Sequence, residues 1–138
     1  VQGAVPGLQN VVCLSGCPAN VVNIAATLVL YLTFHQWPPC DGSGRPLFAY
    51  GEEIHENCER HEHYEREEFV RAWDDQGHRL GWYLYQMGCR GPETKSNCPQ
   101  AKWNDATNWP VGAGHGCIGC TERGFWDLLP SFYTPVPD

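Results

Sequence analysis

Cys117-Ile118-Gly119-Cys120 places two thiols on one tight turn, and Cys98 precedes them in the same stretch. Two cysteines separated by two residues can turn both sulfurs toward one ion or cluster, and a third from a neighbouring loop completes a face. That spacing alone leaves an iron-sulfur cluster, a zinc ion and thiol exchange equally open. A second group lies earlier, where His55-Glu56-Asn57-Cys58 pairs an imidazole with a thiol and Cys89 follows further on. Neutral imidazole in place of an anionic thiolate leaves a cluster less negative, which raises its potential within a range of roughly -700 to +450 mV. His61, His63 and His78 stand in charged surroundings and read as surface side chains.

The chain has eight cysteines, and an even count also suits a disulfide-stapled domain. Their clustering argues otherwise. Cys89, Cys98, Cys117 and Cys120 fall in a Gly-rich stretch with Trp103, Trp109 and Trp126 around them. Backbone without ladders can donate its N–H groups to cluster sulfur, so such a stretch gains more from a central ligand than from a crosslink. A zinc ion held by Cys98, Cys117, Cys120 and His115 is the non-redox alternative.

The elements that must position these groups are few. Val11–Leu14 reads as a short buried strand broken by Gly16-Cys17-Pro18, and Pro18 suits the first turn of a helix running to about His35. That helix is apolar almost all round and reads as buried; the Ala19 to Phe34 window is shorter than the roughly 20 residues a bilayer requires. Pro46–Tyr50 has the aromatic content of a short strand. Ile54–Trp73 reads as one solvated, charge-laced helix, and Leu80–Met87 as a short helix ending at Gly88. Beyond Cys89 periodicity is lost.

Composition points the same way. Val, Leu, Ile and Phe make up about a fifth of the 138 residues, against 15 Gly and 11 Pro, so hydrophobic burial is thin and metal or crosslinks must supplement it. A net charge of -7 leaves no basic face for nucleic acid. An acidic surface is compatible with a basic protein partner. No secretory signal opens the chain and Tyr133–Asp138 shows no membrane anchor; membrane association is expected only through a partner or an anchor outside this sequence.

Taken together, Gly16-Cys17-Pro18, Gly44-Arg45-Pro46, Ile54–Cys58, Gly88-Cys89-Arg90-Gly91-Pro92, Asn97-Cys98-Pro99, Asn108-Trp109-Pro110-Val111, Gly114–Cys120 and Gly124-Phe125-Trp126-Asp127 resemble the small subunit of nickel-iron hydrogenases. Order and spacing match over about residues 11 to 133, and Trp103-Asn104-Asp105 with the His-Gly-Cys form of the last motif is most similar to the membrane-associated uptake branch. The resemblance implies an electron-transfer subunit that relays electrons between the hydrogen-activating site of a large-subunit partner and an acceptor such as a cytochrome or ferredoxin, on the periplasmic face of the membrane. Carried over by position, His55, Cys58 and Cys89 match ligands of a distal 4Fe-4S cluster. Cys98, Cys117 and Cys120 match those of a medial 3Fe-4S cluster, with Pro110 where a fourth thiolate would stand. Cys17 matches one ligand of a proximal cluster. Cys13 and Cys40 match none.

Two departures from the family pattern matter. Tyr83 stands where the resemblance places a cysteine as the fourth distal ligand. A phenol with a reference pKa near 10 is a poor substitute for thiolate, so Tyr83 ligation, recruitment of Cys40 or a non-protein ligand, and an altered or three-iron site are all open, the last being favoured. The family's N-terminal flavodoxin-like domain, which supplies the other proximal ligands, has no counterpart here. The expected fold is one domain over 1–138, mainly α with much irregular structure and little strand, wrapped around its clusters, with residues 1–15 a remnant or linker. A standalone ferredoxin-like carrier is the second functional reading, and the wealth of aromatic residues favours a partnered subunit over it.

Overall fold

The computed structural model describes residues 3–8 and 10–125. Trp126, Asp127 and the terminal stretch Tyr133–Asp138 lie outside the described residues.

Among these, five α-helices follow one another: α1 (Val21–Phe34), α2 (Leu47–Tyr50), α3 (His61–Glu65), α4 (Gln76–Leu80) and α5 (Cys98–Ala101). Only α1 exceeds five residues. Short 3-10 turns occupy His55–Asn57, Tyr85–Met87 and Gly91–Glu93. The described residues form no sheet, only isolated bridges such as Glu53 with Lys95 and Phe69 with Tyr83. Irregular structure with little strand is as expected, whereas helix is scarcer than "mainly α" implies.

Several elements differ from their sequence reading. Val11–Leu14 is not a strand; it is half-buried and irregular, and Cys13 N–H donates to Gly44 O at 2.8 Å. Pro46–Tyr50 turns into α2 instead of extending, with Ala49 and Tyr50 buried and the Tyr50 hydroxyl donating to Ser15 O at 2.8 Å. The long helix over Ile54–Trp73 is cut to α3. Cys58 adopts an extended backbone (ψ 132°) before α3, and Glu67 (φ 57°) ends the helical path after it. Leu80–Met87 is likewise divided: α4, capped by the Asp75 carboxylate accepting from His78 N–H at 2.6 Å, ends at Gly81, whose φ of 79° few side chains tolerate. Gly88 closes the next turn as expected, at φ 88°.

α1 reverses its expected orientation. Its N-cap is Asn20, whose side chain accepts from Val22 N–H, and Pro18 stands before the cap rather than in the first turn. The buried residues are the polar ones, Asn23 and Thr27, while Val21 is 70% and Leu32 69% exposed. Asn23 and Asn97 exchange reciprocal amide hydrogen bonds at 2.9 Å, and Asn20 Nδ2 donates to Lys102 O at 2.7 Å. α1 is therefore stitched by amides to the two ends of α5, the helix that carries Cys98. No helix of the described residues is long and apolar enough to cross a membrane.

The core is centred on Val70, Tyr83 and Leu84, and it incorporates Cys58, Cys89 and Cys117 as members.

An amide left unpaired in a buried setting costs about 1–3 kcal/mol. Asn23→Ala is accordingly expected to lower the unfolding free energy from urea titration by that order, and Val21→Ala at the exposed face to change it by less than about 0.5 kcal/mol. Equal effects would mean that the apolar face, not the amide face, holds α1 in place.

Candidate cluster sites

Cys98 opens α5, where Pro99 suits the first turn, and Ser96 Oγ lies 3.1 Å from Cys98 Sγ. The Cys117–Cys120 turn is tightened by Gly119, which has φ 74° and donates its N–H to Cys117 Sγ at 3.4 Å. Cys98, Cys117, Cys120 and Cys17 all line one cavity of about 350 Å³, with Trp109 and Pro110 among its other walls. The segment after Cys120 is fixed by a buried guanidinium: Arg45 Nη1 donates to Thr121 O at 2.9 Å and to Glu122 Oε1 at 3.2 Å. Arg45 is itself paired with Asp41 at 2.8 Å.

The second group surrounds Tyr83. Cys58 follows the His55–Asn57 turn, and Arg60 N–H donates to Cys58 Sγ at 3.4 Å. The buried Arg60 guanidinium spans Val111 O at 3.1 Å and Trp82 O at 2.9 Å. His55 Nδ1 lies 2.6 Å from Tyr83 Oη. Cys89 Sγ and Tyr83 Oη both border Gly91, where an added Cβ would meet them at 3.5 and 3.6 Å. Gly116 packs on Cys89 so closely that a Cβ would stand 3.0 Å from Cys89 Cα. Only glycine allows the two backbones that approach.

The groups are spliced together. Cys117 N–H donates to Cys89 Sγ at 3.2 Å, and Arg90 N–H donates to Cys117 O at 2.8 Å. A thiol of one group is thus hydrogen-bonded to the backbone of the other.

Burial governs the electrostatics. It pushes the Cys58 thiol up to about 11, and raises Cys89, Cys98, Cys117 and Cys120 as well. The Tyr83 phenol is also pushed strongly upward, first by burial and then by the neighbouring thiols Cys89 and Cys58. Burial holds His55 below the ordinary imidazole value, and His61 adds to this. Such thiols stay neutral without a cation to stabilise their charge, so metal binding here must displace protons.

The residues singled out in sequence thus fall into two adjoining groups, Cys98, Cys117, Cys120 with Cys17, and His55, Cys58, Cys89 with Tyr83. Cys13 is half-buried and Cys40 exposed. His61, His63 and His78 are not plain surface side chains. His61 stacks on His55 with centroids 4.3 Å apart, His63 Nδ1 lies 2.6 Å from Glu68 Oε2, and His78 Nε2 lies 3.1 Å from Gly114 O. Arg45, Arg60 and Ser96 carry supporting roles that sequence reading missed. Arg45 lies within a quoted motif, but nothing in the spacing of Arg60 or Ser96 marks it.

All eight cysteines are free thiols, so no disulfide staples the fold. Among the described residues no three His, Cys, Asp or Glu side chains gather closely enough to hold a single metal ion, the arrangement a zinc staple requires. A cluster spreads its ligands around a larger body. The first group suits one, with three thiols on a common cavity, N–H groups aimed at sulfur and proline on a further wall. The second supplies one imidazole and two thiols, but its fourth member is a phenol already engaged with the imidazole.

A small domain whose described residues form no sheet and gather four thiols around one cavity is the class of protein defined by this fold and site. The family of C-terminal domains of NiFe/NiFeSe hydrogenase small subunits matches residues 50–133, and the chain belongs to that family. It is 47% identical over 124 residues to the periplasmic NiFe hydrogenase small subunit 1 of Nitratidesulfovibrio vulgaris, covering 90% of this chain and 39% of that protein. With the hydrogenase-1 small chain of Escherichia coli K12 it shares 44% identity over 128 residues, covering 93% and 34%. Among solved structures, the NiFeSe hydrogenase of Dm. baculatum superposes with a TM-score of 0.78 at 34% identity, covering 91% of this chain and 45% of that one. The actinobacterial-type NiFe hydrogenase of Ralstonia eutropha H16 gives 0.80 at 28% identity, covering 91% and 36%. The chain therefore spans between a third and two-fifths of the length of these two curated relatives.

The thiol shifts give a pH signature for metal-free protein. A thiol raised on folding stabilises the fold fully below its unfolded value and loses that contribution as pH climbs through the folded one. For Cys58 the window runs from 9.0 to about 11, so the unfolding free energy read from urea titrations is expected to fall across it, by up to about 2–3 kcal/mol for this thiol. A flat profile would mean that these thiols are solvated.

Proposed function

We propose that this chain is the cluster-binding part of a nickel-iron hydrogenase small subunit, relaying electrons between a hydrogen-activating large subunit and an external acceptor such as a cytochrome or ferredoxin. The observation that carries this reading is the convergence of Cys98, Cys117 and Cys120 on one cavity, with Cys117 N–H reaching Cys89 Sγ in the neighbouring group. Iron-sulfur clusters supply reversible one-electron transfer when bound. Cys98, Cys117 and Cys120 would hold a medial 3Fe-4S cluster, since Pro110 offers no donor on its side of the cavity. His55, Cys58 and Cys89 would hold the distal cluster, with 4Fe-4S or an altered form decided at Tyr83. Cys17, exposed and on the wall of the medial cavity, would contribute to a proximal cluster whose other ligands lie outside this chain.

The protein's own groups prepare these sites in identifiable ways. N–H donors from Arg60, Cys117 and Gly119 favour charge on sulfur. Arg45 and Arg60 place buried positive charge beside the segments that bear the thiols, which eases burial of an anionic site.

A partner is favoured by the outer face of α1, where Val21, Val22, Leu28, Val29, Leu32 and Phe34 are all exposed. Soluble proteins rarely leave so contiguous an apolar surface uncovered, which favours a docked subunit over a standalone ferredoxin-like carrier. A periplasmic location is supported by the relative named above as periplasmic.

Iron and acid-labile sulfide analysis with electron paramagnetic resonance of anaerobic protein tests the assignment. A 3Fe-4S signal in the oxidised state is expected, and zinc, or no metal at all, would overturn it. Cys117→Ala is expected to abolish that signal and acceptor-linked turnover while hydrogen activation at the large subunit persists. Pro110→Cys is expected to convert the medial site to four irons and lower its potential; an unchanged spectrum would remove Pro110 from the fourth corner.

A further inference from the structure

The phenol of Tyr83 stands inside the second group rather than at its edge. The residue is 1% exposed, its hydroxyl lies 2.6 Å from His55 Nδ1, and it borders Gly91, as Cys89 Sγ does. A metal bound to an imidazole nitrogen stands ~2.0–2.1 Å from it in zinc sites, and a comparable bond is needed for iron. Whichever tautomer His55 adopts, an oxygen 2.6 Å from Nδ1 stands where iron bound to that nitrogen would have to stand. A phenol also reaches several ångströms farther from its Cα than a thiol, so the ring fills space that a short side chain would leave to a cluster.

The ring is fixed in place. It packs edge-on against His55 at 5.3 Å, Tyr64 at 5.1 Å and Phe69 at 6.4 Å. Its backbone is pinned on both sides, with Tyr83 N–H donating to Glu68 O at 3.0 Å and Val70 N–H donating to Tyr83 O at 2.9 Å. Swinging the phenol aside would require repacking the centre of the core, where close packing makes each displaced group costly.

We propose that Tyr83 bars a complete four-iron cluster from the His55, Cys58 and Cys89 site, by filling the fourth corner with a phenol that binds His55 instead of iron. The inference rests on the cluster-relay reading above and adds to it the identity of the residue that limits this site. Tyr83 is a wall and not a ligand. The chain's distal site therefore differs in kind from one built with four protein donors.

Two substitutions in anaerobically purified protein separate the alternatives. Tyr83→Cys supplies a third thiol, and with it a fourth donor, and vacates the ring's volume; it is expected to add at least about one iron per chain and a reduced-state four-iron paramagnetic signal absent from the parent. Tyr83→Phe keeps the ring and removes the oxygen; iron content is expected to stay at the parent level. Loss of iron in Tyr83→Phe, or phenolate ring vibrations enhanced in the resonance Raman spectrum of the parent, would make Tyr83 a ligand and overturn the inference. A four-iron distal signal already present in the parent would overturn it too, while leaving the relay reading intact. Cys117→Ala serves as the control: if it and the parent alike lack iron and sulfide, the relay reading fails and the inference with it.

Discussion

The hydrogen bond from Cys117 N–H to Cys89 Sγ is the constraint on which this domain turns. It brings the loop after Trp109 against the loop after Leu84, although neither segment has a ladder to align it. Arg90 N–H, donating back to Cys117 O, fixes the register of the pair, and Gly116 permits the approach because a side chain there would strike Cys89. The two thiol groups become neighbours as a direct consequence. Where, as among the described residues, no sheet forms, the backbone donors that strands would consume can serve sulfur, and irregular structure is suited to the site for that reason.

The same arrangement sets an electrostatic condition. Thiols buried as core members are held neutral, whereas metal ligands must be anionic. The N–H donors and the two buried guanidiniums reduce this conflict but do not remove it, since burial remains the first cause of every thiol shift. A metal bound at these thiols would resolve the conflict by supplying the missing positive charge, and folding and metal binding would then be coupled. A sequence with few aliphatic residues and many glycines can still specify one structure when its core is completed in this way.

The chemistry is more legible in the sequence than the architecture. Spacing marks Cys98, Cys117 and Cys120, and the resemblance orders them with His55, Cys58 and Cys89, because such positions are fixed by what they face and not by helical period. The elements are harder to read for the converse reason. Ile54–Trp73 has helical composition, yet Cys58 must turn inward, and one extended residue there outweighs the propensity of those around it. Pro46–Tyr50 has strand composition but no neighbouring strand with which to pair, so it coils. Arg60 looks like one charge among many. Its burial depends on the carbonyls of Val111 and Trp82, contacts that no local pattern announces.

α1 shows why hydrophobicity alone misplaces an element. A helix apolar almost all round belongs in a core, and that inference holds for a molecule whose surface is all exposed to water. Here Asn20, Asn23 and Thr27 face the domain because amides can bind the loops around α5 specifically, and reciprocal Asn23 and Asn97 bonds fix a register that aliphatic packing would leave loose. The apolar residues are then left outward, where they cost free energy unless something covers them. Composition reports how much apolar surface the helix carries, but not whether its own domain or another surface receives it. Polar contacts hold α1 to its own domain, and its apolar residues stay on the outside.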